Sequence, residues 1–320
     1  MKYRFITIMH NLKLDRIMNR GIQLDQNVRL SNGPEVLRET IETDLMRAAC
    51  GVHSIREFED KAYIYIDGEF DEISTTEQAD EMGTEYTFFF LREVQRFTTC
   101  LWNTKDNNVY VRDGFLIIYD KSLDDGVTFK ASLSEVFSHS TCEQKESLFS
   151  DTEIASAKEN FNLASIQNYN EESFGGKFPD SNHLFKSLDY TRIDRAKYFI
   201  LGARRSAILP MKIMFYCNAF ECLFTTGKTE ISHQISERVA SMLGTKDQKK
   251  VHIYKQMKNA YSIRSTIVHG QTFKLKEKQS MATLSKDLDD YLRKLINAKH
   301  EVFYSNNEDM NTFFIDLLLS

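Results

Sequence analysis

From residue 184 to residue 300, apolar side chains recur at three- and four-residue steps in segment after segment, with a stop signal closing most of them. Ile193, Ala196, Ile200 and Ala203 mark a first helix over about 184–206. Pro210 suits the first turn of a second, where its missing N–H is no loss, and this helix runs through Phe224 to end near Gly227. Ile231, Ile235, Val239 and Met242 give a third, Thr229 to Leu243, with Gly244 as its stop. A fourth runs from Asp247 to His269 and stops at Gly270; a fifth spans about 280–300. Helices joined this tightly pack as antiparallel neighbours, so the second half of the chain is expected to be an all-α bundle.

The first half follows a different period. Tyr3 to Met9, Ile22 to Leu30 and Lys61 to Ile66 read as strands, the last bounded by the turn pair Asp67-Gly68. Val109 to Arg112 and Phe115 to Tyr119 flank Asp113-Gly114, which reads as a two-residue hairpin loop. Between them Tyr86, Phe90, Val94, Phe97 and Leu101 keep helical spacing. Ser150 and Glu153 form a capping box with Phe149 and Ile154 as a staple, starting a helix that fades by Tyr169. This half is expected to be α+β with an antiparallel sheet. The stretch 170–182, with Gly175-Gly176 and Pro179, opposes regular structure and divides the chain into 1–180 and 181–320.

Charge divides at the same place. Residues 181–320 carry 22 Lys+Arg against 14 Asp+Glu, a net of +8; residues 1–180 carry the remaining 19 and 32, a net of −13. A basic half beside an acidic one points to an anionic partner such as nucleic acid for the former. Five cysteines, an odd number without a C-x-x-C pair, suggest neither a disulfide framework nor a zinc site. No run approaches the roughly 20 apolar residues a membrane span requires, and the N-terminus lacks a signal-peptide core, so a cytoplasmic protein is expected.

The fourth helix holds the residues most suggestive of chemistry. Tyr254, Met257, Tyr261, Arg264 and Val268 share one stripe; Ile253, Met257, Ala260 and Ile267 form a second. A guanidinium on an apolar stripe needs a carboxylate or a bound anion. His269 sits in the last turn, where the helix dipole favours a cation. Five residues place Arg264 and His269 about 140° apart around the helix, so one copy does not easily aim both at one small target, whereas two copies across a two-fold axis do.

The segment Tyr261-Ser262-Ile263-Arg264-Ser265-Thr266-Ile267-Val268-His269-Gly270 resembles the arginine-four-to-six-histidine signature of the HEPN ribonucleases, and its flanks resemble the Apea-like HEPN subgroup. Ala219-Phe220-Glu221-Cys222-Leu223 and Ile231 to Leu243 resemble that subgroup's second and third helices, so the resemblance covers about 190–300. It implies a dimerising HEPN helical bundle and metal-independent cleavage of RNA, transfer RNA among the candidate substrates, in antiphage defence, abortive infection or a toxin system. Arg264 and His269 are then the catalytic pair, without cofactor or metal. Glu221, Ser265 and Tyr261 support it. From the residues themselves, Arg238 reads as an RNA contact or a surface ion pair, and Lys274 and Lys276, in a loop after the fourth helix, read as RNA contacts or a solvated stretch. The acidic N-terminal domain is then expected to sense a trigger, a phage-derived one among them, to restrain the nuclease or to recruit a target.

The chemistry suits these residue types. RNA supplies its own nucleophile, the 2′-hydroxyl. Histidine moves a proton near neutrality, and arginine's planar fork matches phosphate. Ser265 departs from the Asn, Asp or His that many HEPN enzymes place after the arginine. Thr272 stands where toxins modified by a nucleotidyltransferase carry tyrosine. The rival reading is an inactive RNA- or protein-binding scaffold in which Arg264 pairs with Glu221 or Glu237 and His269 only complements the helix dipole. Arg204-Arg205 reads as a phosphate contact or a dipole pair. His233 and His252 read as solvated or packing groups. The stretch from Leu91 to Asn107 reads as a specific surface.

Overall fold

The computed structural model describes residues 1–161, 163 and 191–319. The chain divides into two compact units, Met1–Val136 with Gln144–Lys177, and Phe137–Glu143 with Phe178–Ser320. The expected break at 170–182, with Gly175-Gly176 and Pro179, lies outside the described residues, as do 184–190 of the first expected C-terminal helix.

In the first unit, six antiparallel strands form a sheet ordered β3-β4-β5-β1-β6-β7: β1 Lys2–Ile8, β3 Ile22–Asp25, β4 Val28–Ser31, β5 Tyr63–Glu69, β6 Asp113–Tyr119 and β7 Val127–Ser132. Both faces are covered, which is why the strands read as nearly unbroken apolar runs. Tyr3, Phe5, Ile64, Ile66, Leu116 and Ile118 share a core with the long helix α3, Thr76–Thr104. Ile6, Ile8, Tyr63, Tyr65, Phe115 and Ile117 point the other way, toward Ile41, Met46 and Phe58 of the segment holding α1, Pro34–Thr40, and α2, Asp44–Arg56. A parallel pair, β2 Leu12–Leu14 with β8 Ser147–Phe149, completes the strands.

One strand reading and two turn readings change. Ile22 to Leu30 is a hairpin broken at Gln26-Asn27 rather than one strand. Asp67-Gly68 lies inside β5, with Gly68 paired to Tyr3. Asp113-Gly114 opens β6, with Asp113 opposite Ser132 and Gly114 opposite Ala131. The absent Cβ of Gly114 serves packing: one there would stand 2.7 Å from Cε2 of Phe5. Of Val109 to Arg112, only Tyr110 bridges to His10.

The Ser150 capping box forms, with Phe149 and Ile154 both fully buried, but this helix, α4 Asp151–Lys158, ends well before Tyr169. Its path breaks where Phe161 turns to pack edge-on against Phe97, 5.1 Å between ring centroids. Most of the stretch from Leu91 to Asn107 is turned inward, with Arg92 and Arg96 left exposed: Trp102 is 1% exposed, and the buried Asn107 side chain accepts from the Val109 N–H at 3.1 Å.

The second unit is mostly helical: α5 Arg192–Arg205, α6 Leu209–Phe224, α7 Ile231–Leu243, α8 Asp247–Val268, α9 Leu275–Ala298 and α10 Asn307–Leu319. α6 is the buried element, packed against α5, α7, α8 and α9. α9 begins earlier than expected, so Lys276 lies in a helix rather than a loop, with Lys274 just before it. All five cysteines are free. Among the described residues, no helix is long and apolar enough to cross a membrane.

Phe137–Glu143 comes from the first half of the sequence yet packs in this second unit. The fully buried Phe137 ring lies 4.3 Å beneath the Arg204 guanidinium. The Ser138 N–H donates to Arg204 O at 2.9 Å, and its hydroxyl to Ser206 O at 2.7 Å. The buried Lys212 ammonium donates to Ala203 O at 2.6 Å and Ser138 O at 3.4 Å. Ser285 on α9 donates to Ser140 O at 2.5 Å.

Two outcomes follow for urea unfolding of the full chain. Gly114→Ala lowers stability by about 1–3 kcal/mol through overpacking against Phe5. Phe137→Ala costs about 3–5 kcal/mol and Ser285→Ala about 1 kcal/mol, both in the transition of the helical unit. Unchanged midpoints would show these contacts to be dispensable.

Candidate active site

α6 and α8 bring together Glu221, Tyr261 and Arg264. α8 is anchored by Ile253, Met257, Ala260, Tyr261 and Ile263, all buried. This interior stripe stops short of the end expected for it, since Val268 is 61% exposed. Arg264 stands at the margin. Its side chain is 34% exposed, and Nη2 lies 3.2 Å from Oε1 and 3.5 Å from Oε2 of Glu221, itself 24% exposed. The approach to Oε1 is off the hydrogen-bond direction, so Oε1 and Arg264 Nε are both buried without a hydrogen bond. The pair is thus incompletely satisfied, with guanidinium surface still open.

Tyr261 closes the inner side. Its hydroxyl donates to Cys217 O at 3.5 Å and also reaches the Glu221 carboxylate. Burial pushes the Tyr261 phenol and the Cys217 thiol well above their usual ranges, so both stay neutral. Burial also raises the Glu221 carboxyl, opposed by the charge of Arg264 and the Tyr261 hydroxyl.

His269 is the C-cap of α8, and it is exposed. The helix ends in a Schellman motif: Gly270 adopts φ +64°, its N–H donates to Ile267 O at 3.0 Å, and the Gln271 N–H donates to Thr266 O at 2.9 Å. Gly270 therefore stops the helix one residue after His269 and leaves the imidazole on its rim. Ser265 is exposed on the same turn. Within one chain, then, Arg264 is turned toward α6 while His269 stands at the open end.

The remaining sequence-derived residues fall elsewhere. Arg238 is not placed for RNA: it is 7% exposed and donates to Phe224 O at 2.7 Å, Thr226 Oγ1 at 3.2 Å and Asn311 Oδ1 at 2.5 Å, with Phe314 under its guanidinium. With Arg192, which donates to Thr225 O at 2.9 Å and pairs with Asn307, it closes the C-terminal end of α6 and fastens α10. The signal for this was Asn307 and Asn311, four apart on an unexpected last helix. Arg204 is likewise interior. The exposed His233 ring nitrogen lies 2.9 Å from the Tyr254 hydroxyl. Among the described residues, no three His, Cys, Asp or Glu side chains gather at metal-binding distance.

Comparison with protein-family models, curated proteins and solved structures returned no match.

Glu221→Gln tests the electrostatics. A carboxyl whose folded pKa is raised contributes stability that is present below its unfolded value, 4.5, and is lost as pH rises through the folded value. Melting temperatures of wild type and Glu221→Gln measured upward from pH 4.5 should therefore differ in slope, with the wild type losing more. Parallel profiles would show that Glu221 titrates normally.

Proposed function

We propose that the helical unit is a HEPN-type endoribonuclease, and that the chain acts as an antiphage, abortive-infection or toxin effector. The observation that carries this reading is the end of α8, where a partly open guanidinium braced by Glu221 shares the last turns with an exposed histidine. Arg264 binds the scissile phosphodiester and offsets the charge that builds on phosphorus. His269 takes the proton from the 2′-hydroxyl or returns one to the leaving 5′-oxygen. The 2′-oxygen bonds to phosphorus as the P–O5′ bond breaks, leaving a 2′,3′-cyclic phosphate and a 5′-hydroxyl. Because Arg264 turns inward and His269 outward on one helix, the site is completed by a second copy related by a two-fold axis. The acidic first unit then serves as sensor or restraint.

A non-catalytic scaffold is the second reading, favoured by the Arg264–Glu221 pair lying within one chain. Incubation of the full-length protein with total and transfer RNA in EDTA separates the two. The expected result is cleavage that survives chelation and falls by about 10²–10⁴-fold in His269→Ala. Mixing inactive Arg264→Ala and His269→Ala chains should restore part of the activity through mixed dimers. Equal cleavage by wild type and His269→Ala would remove His269 from the mechanism. Loss of the melting transition in Arg264→Ala, with no cleavage by the wild type, would favour the scaffold.

A further inference from the structure

The outer face of α8 is exposed at His252, Lys255, Lys258, Ser262, Ser265 and His269, three- or four-residue steps that keep to one side of the helix. At 1.5 Å per residue this stripe is about 25 Å long. It carries cations and hydroxyls and no carboxylate. The sequence of α8 itself holds Lys249, Lys250, Lys255, Lys258 and Arg264 against a single acid, Asp247. Lys255 enters no ion pair among the described residues, and Lys258 meets the Ser232 hydroxyl of α7 at 3.2 Å. Asp287 of α9 is an acidic neighbour: it accepts from Gln256 at 3.1 Å and acts on His252 at the far end of the stripe. Exposed lysines without carboxylate partners keep their charge for a ligand, and hydroxyls between them accept and donate to phosphate oxygens.

We propose that a single RNA strand lies along this face, with phosphates on Lys255 and Lys258 and the Ser262 and Ser265 hydroxyls beside the strand as it enters His269. The inference rests on the RNA reading above and adds the direction from which substrate reaches the histidine. It places substrate recognition on backbone charge rather than on bases, so cleavage sites would be chosen by strand accessibility more than by sequence.

The test uses full-length protein and a fluorescein-labelled single-stranded RNA with methylated 2′-hydroxyls, which binds without being cut. Anisotropy titrations over a range of salt compare wild type, Lys255→Gln/Lys258→Gln and a control of equal charge loss, Lys197→Gln/Lys299→Gln. The expected result is about tenfold weaker binding by the stripe variant and a log–log salt slope shallower by about 1.4, with the control near wild type. All three proteins should share one melting temperature. Wild-type binding that the two double variants weaken equally would overturn the stripe while leaving the nuclease reading intact. No binding by the wild type would overturn the RNA reading itself. Displacement of the RNA by polyglutamate at equal charge concentration would reassign the face to an acidic protein.

Discussion

On a helix enclosed by four neighbours a polar group is costly to leave without a partner, and α6 carries several. Lys212 is fully buried near its start, Tyr216 donates to Asp289 at 2.9 Å a turn later, Glu221 meets Arg264, and the last carbonyls are taken by Arg192 and Arg238. Between them the ties reach five elements: Lys212 the inserted segment 137–143 and α5, Tyr216 α9, Glu221 α8, and the last carbonyls α5 and α7. A buried donor or acceptor left unmatched costs about 1–3 kcal/mol, and more if charged, so these ties fix where the surrounding helices sit. Hydrophobic contact alone lets helices slide; a lysine that must reach two particular carbonyls does not.

The candidate site is a consequence of that arrangement. α8 is pinned over its middle by Met257, Ala260, Tyr261 and Ile263 and loses its interior contacts over its last turns. Arg264 falls at the transition, close enough to α6 to be braced by Glu221 and far enough out to keep guanidinium surface exposed. One turn further, His269 is free of the core. The same helix is thus a structural strut at its centre and an open rim at its end. Under the proposed reading, its outward face is also the substrate track.

The inserted segment shows how a folded unit can depart from sequence order. Phe137, Ser138 and Ser140 have no helical or strand period to announce them, and their partners Arg204, Lys212 and Ser285 lie 67, 74 and 145 residues away. Arg204 and Lys212 look like surface cations in a linear reading. They are interior because a phenyl ring and backbone carbonyls from a distant stretch cover them. Arg238 and Trp102 were misplaced for a related reason: residue type suggests an interface, and only packing decides which side of the surface it occupies.

Signals that act within a turn were legible. The Ser150 capping box, Pro210 at the start of α6 and Gly270 at the end of α8 work through backbone groups a few residues away, so the sequence itself determined those helix termini, and with them the position of His269 on a helix rim. The periodicities likewise separated a sheet-bearing half from a helical one. Tertiary structure decided what local rules leave open. Asp113-Gly114 has the chemistry of a turn but opens β6, paired to Ser132 and Ala131, and Phe5 fills the space that a side chain at Gly114 would take. Arg264 reads only as a cation on an apolar stripe; that Glu221 and not Glu237 braces it depends on how α6 and α8 cross. Such crossings are set by the summed demands of buried groups far apart in the chain, which no window of sequence contains.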